Sequence, residues 1–168
     1  AQENIEFRNV SFRYNEEGRD ILKDVSFKVK RNGITVISGM TGAGKTTIIK
    51  LMLGFYSPQK GEVLFEGKDV ASLKKDEYFS NFNIIVQGST LFDDTIANNI
   101  SYGCEDVTFE EIEKAAKLSG ADEFILRRQE GYKTVFNSKS PNLSDGEIKL
   151  VLLARAFLRK RDILIFDE

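Results

Sequence analysis

Between residues 34 and 54 the chain passes from a β-branched run, through a glycine-rich turn, into a helix-forming segment, and few folds can use that order. Ile34-Thr35-Val36-Ile37 is too apolar for a strand with a wet face and predicts a strand buried on both faces of a mostly parallel sheet. Lys45 to Leu53 predicts a helix closed by Gly54. Between them, Gly39-Met40-Thr41-Gly42-Ala43-Gly44-Lys45-Thr46 fits the pattern G-x-x-x-x-G-K-[ST]. Glycines let backbone N–H groups wrap phosphates without Cβ clashes, and a helix start adds unpaired donors and a positive dipole end. Lys45 suits the outer phosphates, and the Thr46 hydroxyl suits Mg²⁺, which prefers phosphate oxygens, water and one or two hard protein ligands. The plainer reading, a glycine-rich turn with a solvated lysine, leaves the flanking strand and helix without a purpose.

Length and charge narrow the rest. The 168 residues amount to about one domain. Lys and Arg number 24 against 26 Asp and Glu, a net charge of −2, so no basic footprint for nucleic acid exists. An apolar fraction of 41% argues for an ordered core. The single Cys104 excludes an internal disulfide framework and suits a small, at least half-buried position; no apolar run approaches the roughly 20 residues of a membrane span.

Ile5, Phe7, Val10, Phe12 and Tyr14 nearly alternate, and Val25, Phe27 and Val29 alternate cleanly, which predicts two antiparallel strands with one wet face. Asn15 to Gly18 turns between them, and Arg31-Asn32-Gly33 ends the second. Short strands are expected at Glu62 to Phe65 and Asn83 to Gln87, and a buried one at Ile163 to Phe166. From about Asp94 to Arg128 the spacing is helical, with Thr108 and Glu111 forming a capping box. Ser144 and Glu147 form a second, opening an apolar helix through Leu158. Lys74 to Glu77 is a solvated run.

The final strand ends in Asp167-Glu168, as expected of a neighbouring strand that delivers one carboxylate to Mg²⁺ and a second that polarises water. Alone, an apolar run ending in acids is commonplace. Leu143-Ser144-Asp145-Gly146-Glu147 adds a further mark: here the chain resembles the nucleotide-binding domain of ATP-binding cassette (ABC) transporters, whose signature is usually L-S-G-G-Q. Ala154-Arg155-Ala156, Gln87 and Pro58-Gln59-Lys60-Gly61 fall at the family's spacing. Leu91 to Ile100 resembles the exporter subgroup's L-F-x-x-T-I-x-x-N-I. The likeness runs from about Ile5 to Glu168.

The resemblance implies an α/β fold: a P-loop NTPase core with mixed or parallel sheet, an N-terminal antiparallel edge and a helical subdomain. Residues 1–86 plus 159–168 would form the ATP-binding core, and about 88–158 the helical subdomain with its signature helix. It implies binding and hydrolysis of MgATP to power transmembrane export at the cytoplasmic face of the cell membrane. Tyr14, by itself a strand-end aromatic, would stack on adenine. Gly39, Thr41, Gly42, Ala43, Gly44, Lys45, Thr46 and Thr47 would hold phosphates. Thr46, Gln87 and Asp167 would serve Mg²⁺, with Glu168, Gln87 and Lys45 catalytic. Ser144 and Gly146 would close the site of a second, head-to-tail nucleotide-binding domain, and a transmembrane domain would be the other partner. A non-catalytic module that uses ATP to dimerise, and a soluble ABC-type ATPase, are the rivals; the coiled-coil heptads or basic face expected of the latter do not occur.

Three departures qualify the likeness. Asp145 and Glu147 place carboxylates where the family has Gly and Gln, and like charge there opposes a docking phosphate. Phe136-Asn137-Ser138-Lys139 stands where exporters commonly carry a glutamate facing the membrane domain. The family domain also continues past the second carboxylate to a switch histidine, whereas this chain holds no histidine, so weak hydrolysis is expected of it.

Overall fold

In the computed structural model, residues 3–40 and 42–167 are described, and they form two compact units, 1–79 and 80–168. The first is built on a four-stranded antiparallel sheet in the order β2-β1-β3-β4: β1 Glu3–Phe12, β2 Leu22–Lys30, β3 Lys60–Phe65 and β4 Lys68–Asp69. Ile5, Phe7, Val10 and Phe12 are all buried although Phe7 and Val10 are three apart. The register shifts between these two, where Asn9 has φ 47°. A bulge residue there restores the inward face, which explains why the alternation in the sequence is imperfect. Phe7 stacks on its cross-strand partner Phe27 at 4.5 Å.

Helix α1, Lys45–Met52, buries Thr47, Ile48, Leu51 and Met52. It ends in a Schellman motif, with Phe55 N–H on the Lys50 carbonyl, Gly54 N–H on that of Leu51, and Gly54 at φ 72°. The short α2, Lys75–Phe79, falls largely on the expected solvated run.

The second unit holds α3 Ile96–Ser101, α4 Phe109–Ser119, α5 Ala121–Leu126 and α6 Asp145–Arg159. With them is a parallel pair, β5 Phe82–Ile85 and β6 Ile163–Phe166. Its core gathers Ile96, Ile100, Ala116, Ile125, Val151 and Ala154, each fully buried. Both expected capping boxes form, at Thr108/Glu111 and Ser144/Glu147. The antiparallel edge, parallel pair and helical cluster make up the α/β class that the sequence implied. Among the described residues no helix is long and apolar enough to cross a membrane.

Two expectations are corrected. Ile34 to Ile37 forms no strand; Ile34 and Val36 are 94% and 80% exposed, and no described strand pairs with them. A β-branched run becomes a buried strand only where neighbours satisfy its N–H and C=O groups. β6 is buried on one face alone: Ile163 and Ile165 point inward while Leu164 and Phe166 are exposed. With a single ladder partner the period of two decides which residues reach the core.

Candidate functional site

In the first unit the glycine loop leads into α1 through two left-handed residues, Gly42 at φ 82° and Gly44 at φ 96°. Gly44 is also held by proximity: a Cβ there would lie 2.8 Å from Cδ2 of Leu22. No side chain caps α1, and its first turn carries no acidic residue. The opening N–H groups are therefore without a side-chain cap at the positive end of the helix, an arrangement suited to an anion. Lys45 Nζ donates to the carbonyls of Gly39 and Met40, the latter at 3.1 Å, so the ammonium stays at the loop it would serve. Thr46 is exposed. Thr47 is buried, and its Oγ1 lies 3.0 Å from the Tyr14 hydroxyl. Thr41 lies outside the described residues.

Tyr14 follows β1 and is 43% exposed. Phe12 and Tyr56 meet its ring edge-on at 5.0 and 5.3 Å, and Lys50 Nζ sits 5.5 Å from its centroid. The hydroxyl bond and two aromatic neighbours fix the ring while leaving part of it open. Tyr56 and Lys50 carry no motif of their own; only their places just after α1 and on it bring them to Tyr14.

In the second unit, Gln87 and Asp167 follow the carboxyl ends of the parallel strands. Ile85 pairs with Phe166, and Asp167 N–H donates to the Ile85 carbonyl at 2.8 Å. Gln87 lies in a tight turn closed by Ser89 N–H on the Val86 carbonyl, with Gly88 at φ 83°. Both side chains have solvent access, Asp167 partly. Glu168 lies outside the described residues.

At the start of α6, Ser144 Oγ accepts from Glu147 N–H at 3.2 Å, and Glu147 Oε1 accepts from Ser144 N–H at 3.1 Å. Glu147 Oε2 also takes a 2.7 Å bond from Arg128. Burial pushes this carboxyl up, but the Arg128 guanidinium and the Ser144 donors outweigh it and hold the group below its ordinary value. Asp145 and Gly146 are exposed. Arg128 is absent from every motif in the sequence, and nothing local to it signals this role. The segment Leu91 to Ile100 is anchored by Asn99, 1% exposed, whose side chain bonds Phe92 N–H and the carbonyls of Phe92, Asp94 and Thr95. Arg155 of α6 reaches both the carbonyl and Oδ1 of Asn99, and its guanidinium lies over Phe92 and Tyr102.

A glycine loop opening an uncapped helix, with acidic and amide side chains after parallel strands, defines a P-loop nucleotide-binding protein of the α/β class. The chain belongs to the ABC transporter family, whose pattern matches residues 22–168. It is 38% identical over 164 residues to the putative multidrug export ATP-binding/permease protein YgaD of Bacillus subtilis, covering 98% of this chain and 28% of that protein. It is 39% identical over 165 residues to the putative ABC transporter ATP-binding protein MG015 of Mycoplasma genitalium, with the same coverage. A solved bacterial Atm1-family ABC exporter with ATP bound superposes with a TM-score of 0.86 at 37% identity, covering 99% of this chain and 29% of that one. The chain thus spans little more than a quarter of these relatives.

Proposed function

We propose that this chain is the MgATP-binding domain of an exporter-type ABC transporter, and that the whole protein hydrolyses ATP to drive export. The observation that carries the reading is the uncapped, acid-free start of α1 behind a loop whose Lys45 is already held at its mouth. In this reading Tyr14 stacks on adenine, and Gly39, Thr41, Gly42, Ala43, Gly44, Lys45, Thr46 and Thr47 hold phosphates. Thr47 serves chiefly through its backbone N–H, since its hydroxyl is engaged by Tyr14. The oxygen donors Thr46, Gln87 and Asp167 suit a hard cation such as Mg²⁺, which when bound supplies charge neutralisation at the phosphates. Glu168 orients and polarises the attacking water.

The reading divides the domain into an ATP-binding core, 1–86 plus 159–168, and a helical subdomain, 88–158. Two such domains pair head to tail, Ser144 and Gly146 of one closing the site of the other, against a transmembrane domain at the cytoplasmic face. The relatives named for ATP binding and permease or export functions support it. The test is calorimetry on Lys45→Ala: MgATP affinity should fall at least tenfold, and unchanged binding would sink the phosphate assignment. The exposed Asp145, whose charge opposes a phosphate docking at the start of α6, favours a second reading, a regulatory module that binds ATP without turnover. Affinity without phosphate release in the full-length protein selects that reading instead.

A further inference from the structure

We propose that Arg128 is the positioning residue of the segment 142–147, neutralising the carboxylate that Glu147 brings to the start of α6 and keeping that start receptive to a phosphate. The inference rests on the MgATP reading above and goes beyond it by assigning a role to a residue outside every nucleotide-binding motif.

Arg128 stands in the turn after α5, where its N–H is bonded to the Ile125 carbonyl and its own carbonyl accepts from Gly131. From there its two terminal nitrogens divide their work. Nη1 donates to the Asn142 carbonyl at 2.8 Å, at the start of the segment, and Nη2 donates to Glu147 Oε2 at 2.7 Å, at its end. The planar guanidinium therefore spans the segment from one side and fixes the distance between its ends. Both side chains are largely enclosed, at 32% and 23% exposure, so the pair is less screened by water than an ordinary surface bridge.

The division of labour on Glu147 matters equally. Oε1 completes the capping box with Ser144 N–H, and Oε2 is left for Arg128. Without the arginine, Oε2 would stand as a partly buried negative charge within the first turn of α6. The four opening N–H groups of that helix offer only about half a positive charge to an anion, so an uncompensated carboxylate there would cancel what draws a phosphate. With the arginine, Asp145 alone remains as an exposed carboxylate at this end. Glutamine at position 147 would keep the capping box without the charge, because either residue serves at that place in the box. Arg128 and Glu147 thus form a coupled pair in which the one is needed because the other is charged.

The experiment compares the full-length wild-type protein with Arg128→Leu and with Arg128→Leu/Glu147→Gln. Three quantities are read: affinity for a fluorescent ribose-labelled ATP with Mg²⁺, phosphate release at saturating MgATP, and the melting temperature. Arg128→Leu should lower turnover about tenfold while nucleotide affinity at the Lys45 loop stays within twofold of wild type. The double variant should return turnover to within about threefold of wild type, because it removes the charge along with its partner. A purely structural arginine predicts instead that the double variant stays as slow as Arg128→Leu, and that result overturns the inference. So does wild-type turnover in Arg128→Leu, or a wild type that binds MgATP yet releases no phosphate. A wild type that binds no MgATP overturns the functional reading itself and this inference with it.

Discussion

Gly44 meets two demands at one backbone position: a φ of 96° that turns the loop into α1, and an approach to Leu22 too close to admit a Cβ. Gly44→Ala should therefore destabilise the chain by about 1–3 kcal/mol, read from the urea midpoint, because it adds left-handed strain to a clash with a packed side chain. Ser144→Ala removes the oxygen that accepts from Glu147 N–H and should cost about 1 kcal/mol by the same measurement. Glu147 also gives a pH prediction. Its folded carboxyl is held below the ordinary value of 4.5, so its contribution is complete above that value and is lost as pH falls through the lower, folded one. Wild type should thus lose more stability than Arg128→Leu between about pH 6 and about pH 3, and parallel acid limbs for the two would show that the arginine does not set this carboxyl.

Elements are held to one another here by a few buried polar groups. Asn99 is the clearest: with its backbone carbonyl and side chain it joins the turn at Phe92–Thr95 to Arg155 in α6. Asn99→Ala would take the acceptor from the Phe92 N–H, the second donor from the Phe92, Asp94 and Thr95 carbonyls, and one of the two contacts that Arg155 makes with Asn99. A loss of about 3 kcal/mol in unfolding free energy is expected, with the m-value unchanged. The sequence carried the boundaries of most such elements. Thr108 with Glu111 and Ser144 with Glu147 mark helix starts three residues from their partners, and Gly54 marks a helix end, because capping is local chemistry. It did not carry the state of Ile34–Ile37, whose composition suits a buried strand but whose ladder partners are a property of the assembled sheet.

Across the whole molecule, residues 34–38 present backbone that no described strand covers, while β1 is paired on both sides. Hydrogen exchange on the 168-residue chain should show amides 34–38 exchanging within seconds and those of Phe7 and Val10 protected by several orders of magnitude; equal protection would contradict this fold. What the amino-acid sequence determined by itself is everything set within a few residues: the glycine loop and its lysine, the capping boxes, the acidic end of β6, and through them the family. What only the tertiary structure decided is which distant groups meet: Tyr14 with Thr47, Arg155 with Asn99, Arg128 with Glu147. The reason is physical. A cap or a turn is closed by dihedrals over three or four residues, whereas a charge 19 positions away is neutralised only if the packing of α5 against α6 brings it there.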